Sequence, residues 1–133
     1  MLGSVEFPED DVVVADFEAG VGTLTRLGEE HVDTVVIVAE ATPKSLEVGA
    51  RAAALAQEKT VARIVVVANR IRGEEDLQKV RDAFPGMEVI GVPHDPKIIE
   101  ADRKGVAPID LDPEAPAVKA LVGLASTLLP HSN

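Results

Sequence analysis

Cysteine, tryptophan and tyrosine are absent from these 133 residues, and aromatics amount to 2% of them. Without cysteine, no disulfide, zinc-thiolate or iron–sulfur centre can be built from this chain alone. With so few aromatic rings, the core has to be made of Val, Ile, Leu and Ala. Basic residues are also scarce: 13 Lys and Arg stand against 23 Asp and Glu, for a formal charge of −10. A surface of that sign keeps the protein soluble, and it repels phosphate backbones and anionic lipid. Direct nucleic-acid or membrane binding is therefore not expected. No stretch approaches the about 18 apolar residues of a membrane helix, and no basic segment precedes an apolar run near the start. Neither a span nor a signal peptide is expected, and the cytoplasm is the expected location.

What is there is 46% hydrophobic, enough for one core, and the length fits a single domain over residues 1–133. Four apolar runs read as strands, at residues 11–15, 34–39, 64–68 and 88–92. The first three do not alternate polar with apolar, the pattern of strands covered on both faces. Helical spacing fills the intervals. Thr42 is placed to cap a helix that has Pro43 at its first position and runs to about Glu58, with an Ala-rich middle. Leu77, Val80 and Phe84 form one apolar face of a helix that Pro85 and Gly86 end. Asp95 and Pro96 repeat the cap-and-proline start, and Gly105 closes that helix. A last helix begins near Asp112, Pro113 and Glu114, with Val118, Leu121, Val122, Ala125, Leu128 and Leu129 as its expected core stripe. Alternation of this kind predicts an α/β fold. It would be a three-layer sandwich with a mainly parallel sheet of about four strands flanked by helices.

In open parallel sheets, ligands bind beyond the carboxyl ends of the strands. The residues there are Asp16, Phe17, Glu18, Ala19 and Gly20 after the first run, then residues 40–45, then Asn69 and Arg70, then residues 93–96. Four motifs in order carry a resemblance across residues 11–105: the Asp-x-Glu-Ala-Gly turn at Asp16, the Pro-Lys-Ser-Leu-Glu start at Pro43, the Asn69-Arg70 pair, and Val-Pro-His-Asp at Val92 followed by Ile-x-Glu-Ala-Asp at Ile98. Together they resemble the part of the MinD/ParA/CooC-like P-loop ATPases that follows the P-loop, most nearly the CooC-like group that matures nickel enzymes. The resemblance implies that Asp16 lies beside Mg²⁺ and phosphates, and that Gly20 lets backbone approach the γ-phosphate. It implies that Asn69 recognises adenine. Pro93 to Asp95 would line the base pocket from the other side, and Arg70 stands where the family usually has lysine.

Two departures bear on activity. The family's Gly-rich Lys-Ser/Thr loop, which cradles the β- and γ-phosphates, has no counterpart in these residues. The Cys-x-Cys pair of the CooC-like metal site is missing too. The expectation is a degenerate, non-hydrolysing binding or regulatory domain, with weak ATP or ADP binding with Mg²⁺, no catalytic residue and no resident metal site. The alternative is a fragment of an active ATPase of partitioning, division-site placement or metallocentre assembly, and a plain interaction domain is a third reading. Receiver and hydrolase chemistry fit poorly, since Asn69 replaces the phospho-acceptor and no Gly-x-Ser-x-Gly occurs. Plainer roles stand beside the sharp ones: Asp16 as a polar strand end, Asn69 as a turn residue, Asp95 as a helix cap, and Thr42 and Ser45 as helix-start residues. His94 has no second ligand at useful spacing. In the family, the P-loop strand lies between the strand ending at Asp16 and the one at residues 34–39. A homo-oligomer or a partner protein completing the sheet is therefore expected.

Overall fold

A computed structural model of the chain describes residues 12–14, 16, 32–59 and 63–129. Three strands form its sheet: β1 (Thr34–Ala39), β2 (Arg63–Ile71) and β3 (Glu88–Pro93). All pairings are parallel and the order is β1-β2-β3, with Ala39 opposite Ala68 and Ala68 opposite Gly91. Five helices follow in chain order: α1 (Pro43–Glu58), α2 (Glu74–Ala83), α3 (Pro96–Lys104), α4 (Pro108–Leu111) and α5 (Pro116–Leu128).

The α/β class holds, with three strands among the described residues rather than four. Val12, Val13 and Val14 carry no strand; Val14 is 88% exposed. An apolar run becomes a strand only with a ladder beside it, and these three residues have none in the sheet. Asp11 and Ala15, the ends of that expected strand, lie outside the described residues.

Helices cover both faces of the sheet. On one face Ile37, Ala39, Val66 and Ala68 meet Ala52 and Ala53 of α1, Val80 of α2, and Phe84. Gly49 permits the close approach of α1: a Cβ there would lie 2.8 Å from the Phe84 ring. On the other face Val67 and Val92 meet Ala117 of α5, with Ile98, Ala120 and Leu124 around them. Small residues on the helices and β-branched residues on the strands supply most of the core, and the Phe84 ring adds an aromatic side chain to the Val, Ile, Leu and Ala expected there.

The stripe of α5 differs from expectation. Val118 is buried, but Leu121 and Val122 are 42% and 49% exposed, while Ala117, Ala120 and Leu124 pack inward. Lys119 is the sole charged residue of the helix, so apolar spacing cannot choose among its faces. The helix also starts at Pro116 rather than near Asp112. Residues 112–115 form a turn in which the Glu114 N–H donates to Asp112 Oδ1 at 3.0 Å.

Candidate functional site

The carboxyl ends of the strands lie along one edge of the sheet, and three loops meet there. After β1, Thr42 caps α1: its Oγ1 accepts from the Ser45 N–H at 3.3 Å, and Ser45 Oγ accepts from the Glu40 N–H at 2.8 Å. Both hydroxyls are thus engaged at the helix start. After β3, Asp95 caps α3, with Pro96 at the first helical position.

β2 does not stop at Asn69; it runs on to Ile71, which pairs with Pro93 and accepts a hydrogen bond from the His94 N–H at 2.9 Å. Between the pairs Ala68–Gly91 and Ile71–Pro93 the register shifts. Asn69 and Arg70 therefore oppose Val92 alone, a one-residue β-bulge of the kind that re-aims side chains. Arg70 takes a positive φ of 56°, the one non-glycine residue among those described to do so. That conformation costs an L-residue about 1–2 kcal/mol. The extra residue has a visible effect. Ile64, Val66 and Ala68 share one face, and strict alternation would turn Ile71 away from it, yet Ile71 packs on that same face.

Around the bulge, Arg70 Nη1 lies 3.4 Å from Glu40 Oε1, linking the ends of β1 and β2. Both groups are about half exposed, so the pair stabilises by roughly 0–1 kcal/mol. Asn69 is half-buried, and its amide has no hydrogen-bond partner among the described residues.

Asp95 is the one buried charged residue among those described, 7% exposed. Its Oδ1 accepts from the Lys97 N–H at 2.9 Å and its Oδ2 from the Ala117 N–H at 3.0 Å. One carboxylate thereby serves the first turns of both α3 and α5. The Ala117 amide, then the Lys97 amide, hold its pKa below the ordinary carboxylate value, against the opposing effect of burial.

Of the expected site residues, Asn69, Arg70, Pro93 and Asp95 come to this one edge. Asp16 is exposed and belongs to no helix or strand; Gly20 lies outside the described residues. The Asp95 carboxylate lies at the α3–α5 junction, where each of its oxygens accepts one backbone N–H. Glu40 was legible only as a strand-end residue, and its pairing with Arg70 follows from the strand order. Among the described residues, no three His, Asp or Glu side chains converge as a metal site would require, and no helix is long and apolar enough to cross a membrane.

A parallel sheet with helices on both faces defines an open α/β fold, in which ligands bind beyond the carboxyl ends of the strands. No family model matches the chain. An uncharacterised ATP-binding protein of Methanocaldococcus jannaschii is 36% identical over 119 residues, 86% of this chain and 46% of that protein. The carbon monoxide dehydrogenase accessory protein CooC of Rhodospirillum rubrum is 32% identical over 104 residues, 77% of this chain and 40% of CooC. Among solved structures, the MinD cell division protein of Aquifex aeolicus matches with a TM-score of 0.67 at 24% identity, over 86% of this chain and 50% of that one. The MinC:MinD complex from Aquifex aeolicus matches with 0.64 at 24% identity, over 86% and 49%. MinD from Pyrococcus horikoshii, complexed with Mg-ADP, matches with 0.61 at 21% identity, over 72% and 41%. The chain is homologous to the MinD/ParA/CooC-like P-loop ATPases and shares their α/β fold. It spans less than half the length of the curated relatives it matches.

Proposed function

We propose that these residues form the base-recognising side of an adenine-nucleotide site, and that by themselves they bind or regulate rather than hydrolyse. The observation that carries this is the Asn69 amide. It is half-buried at the carboxyl edge of the sheet, has no partner among the described residues, and sits between the Glu40–Arg70 pair and the Pro93–His94 turn. A side-chain amide offers a donor and an acceptor side by side, the pattern that matches an adenine edge. Pro93 would lie against the base from the other side. Phosphate binding draws on backbone N–H groups and a lysine in a Gly-rich loop, and these 133 residues contain no such motif. The described residues thus fit the base of a nucleotide and not its Mg²⁺, for which Asp16 is the single expected carboxylate and Gly20 the expected γ-phosphate neighbour. Weak ATP or ADP binding follows.

The test is calorimetric titration with ATP, ADP and GTP, with and without Mg²⁺, since the chain has no Trp or Tyr to report by fluorescence. Saturable binding that prefers adenine and is lost in Asn69→Ala supports the reading. Equal responses to ATP and GTP sink it.

A second reading is favoured by the partial match to proteins named as ATP-binding: the segment belongs to an active ATPase, with the phosphate side supplied by other residues. Mg²⁺-dependent phosphate release from the full-length protein decides for it. The partner reading draws support from β1, which pairs only with β2 among the described residues while Val38 is 61% exposed, and from a MinD relative of this fold being solved in complex with MinC. A second copy or a partner strand beside β1 is the proposed arrangement, in a cytoplasmic protein. Light scattering that returns a monomer at all concentrations removes the self-association version.

A further inference from the structure

Resting on the base-recognition reading above, we infer that Arg70 is a positioning residue whose backbone, through the bulge it makes with Asn69, presents the Asn69 amide and orders the Pro93–His94 turn. Three observations converge on it. Two residues of β2 face one of β3 at this point, so the side-chain alternation is reset: Ala68 and Ile71 share a face although three positions separate them. The reset depends on a residue with positive φ, and Arg70 fills that place at 56°. Beyond the bulge the ladder resumes at once, with Ile71 opposite Pro93 and the His94 N–H donating to the Ile71 carbonyl. The Arg70 guanidinium is meanwhile occupied by Glu40 at 3.4 Å. The backbone therefore sets where Asn69 stands, and the ion pair steadies that backbone.

A bulge held this way makes a specific ranking of variants. Glycine adopts positive φ freely, alanine at some cost, and a β-branched valine least of all. In the full-length protein, amide exchange at His94 reads the ladder beyond the bulge, and calorimetry reads adenine binding. Arg70→Gly is expected to keep His94 protection and to bind ATP about tenfold more tightly than Arg70→Val, with Arg70→Ala between them. If the valine variant does not fold, the glycine and alanine pair carries the comparison. Glu40→Gln removes the ion pair alone and is expected to fall nearer Arg70→Gly than Arg70→Val. Equal loss in all three Arg70 variants overturns the inference, because the guanidinium rather than the backbone is then what matters. Loss in Glu40→Gln as large as in Arg70→Val overturns it for the same reason. A wild-type protein with no preference for adenine over guanine overturns the base reading, and the presentation of Asn69 with it. Equal His94 exchange throughout overturns the bulge's role alone.

Discussion

Asp95 shows how much a single side chain can hold at the residue scale. Both its oxygens accept backbone N–H groups, one in α3 and one in α5. Asp95→Asn keeps one acceptor and puts a donor against the other amide, so a fall in Tm of several degrees is expected at neutral pH. The sign with pH follows from its lowered pKa. Its contribution is fully present above the unfolded carboxylate value, about 3.9, and is lost as pH falls through the lower folded value. The Tm gap between wild type and Asp95→Asn should therefore close in acid; a gap that widens there contradicts the assignment. Asn69 makes the opposite case. Asn69→Ala should weaken adenine binding by about 1–3 kcal/mol with little change in Tm, measured by calorimetry beside a melting curve. The cap at Asp95 was readable from Asp-Pro ahead of a helix. Its second bond was not, since Ala117 is a residue without polar side chain lying 22 positions away.

Helix starts marked by Thr42-Pro43 and Asp95-Pro96, and the stop at Gly105, could be read from sequence because each is a local backbone requirement; Gly105 indeed has a φ of 66°. The same holds for the limits of β1. What could not be read at the element scale depends on what packs opposite. The inward face of α5 is set by the sheet and by Asp95, not by its own nearly uniform apolar sequence. The bulge in β2 has no local signal either, for Asn-Arg resembles any strand end. Gly49 gives this scale its test. Glycine within a helix costs about 1 kcal/mol relative to alanine, so propensity alone favours Gly49→Ala. The Phe84 ring stands 2.8 Å from the new methyl and is itself fully packed, and overpacking of that kind costs about 1–3 kcal/mol. Gly49→Ala is expected to destabilise, read as a lower denaturant midpoint; a raised midpoint would mean the ring yields freely.

The α/β class was legible at the level of the whole molecule because β-branched runs alternating with capped, Ala-rich segments admit few other arrangements. Charge balance is a property of this scale as well. A net charge of −10 makes the folded chain repel itself, and added salt screens that repulsion. The described ion pairs are largely exposed and contribute little. Raising NaCl from about 10 mM to about 150 mM, which shortens the screening length from about 30 Å to about 8 Å, is therefore expected to raise Tm by a few degrees. A fall would show that attractive pairs outweigh the repulsion.

The opposite end of the sheet carries a fastening of its own. The Arg63 guanidinium donates Nε–H to Glu88 Oε2 at 3.2 Å, Nη2–H to Glu88 Oε1 at 2.8 Å, and Nη1–H to the Thr127 carbonyl at 2.9 Å. It thus ties the beginnings of β2 and β3 to the last turn of α5. The sheet is thus clamped at both ends: by Arg63 where its strands begin, and by the Arg70–Glu40 pair and the Ile71–Pro93 rung where they end, so that Asn69 stands on a frame braced from two sides.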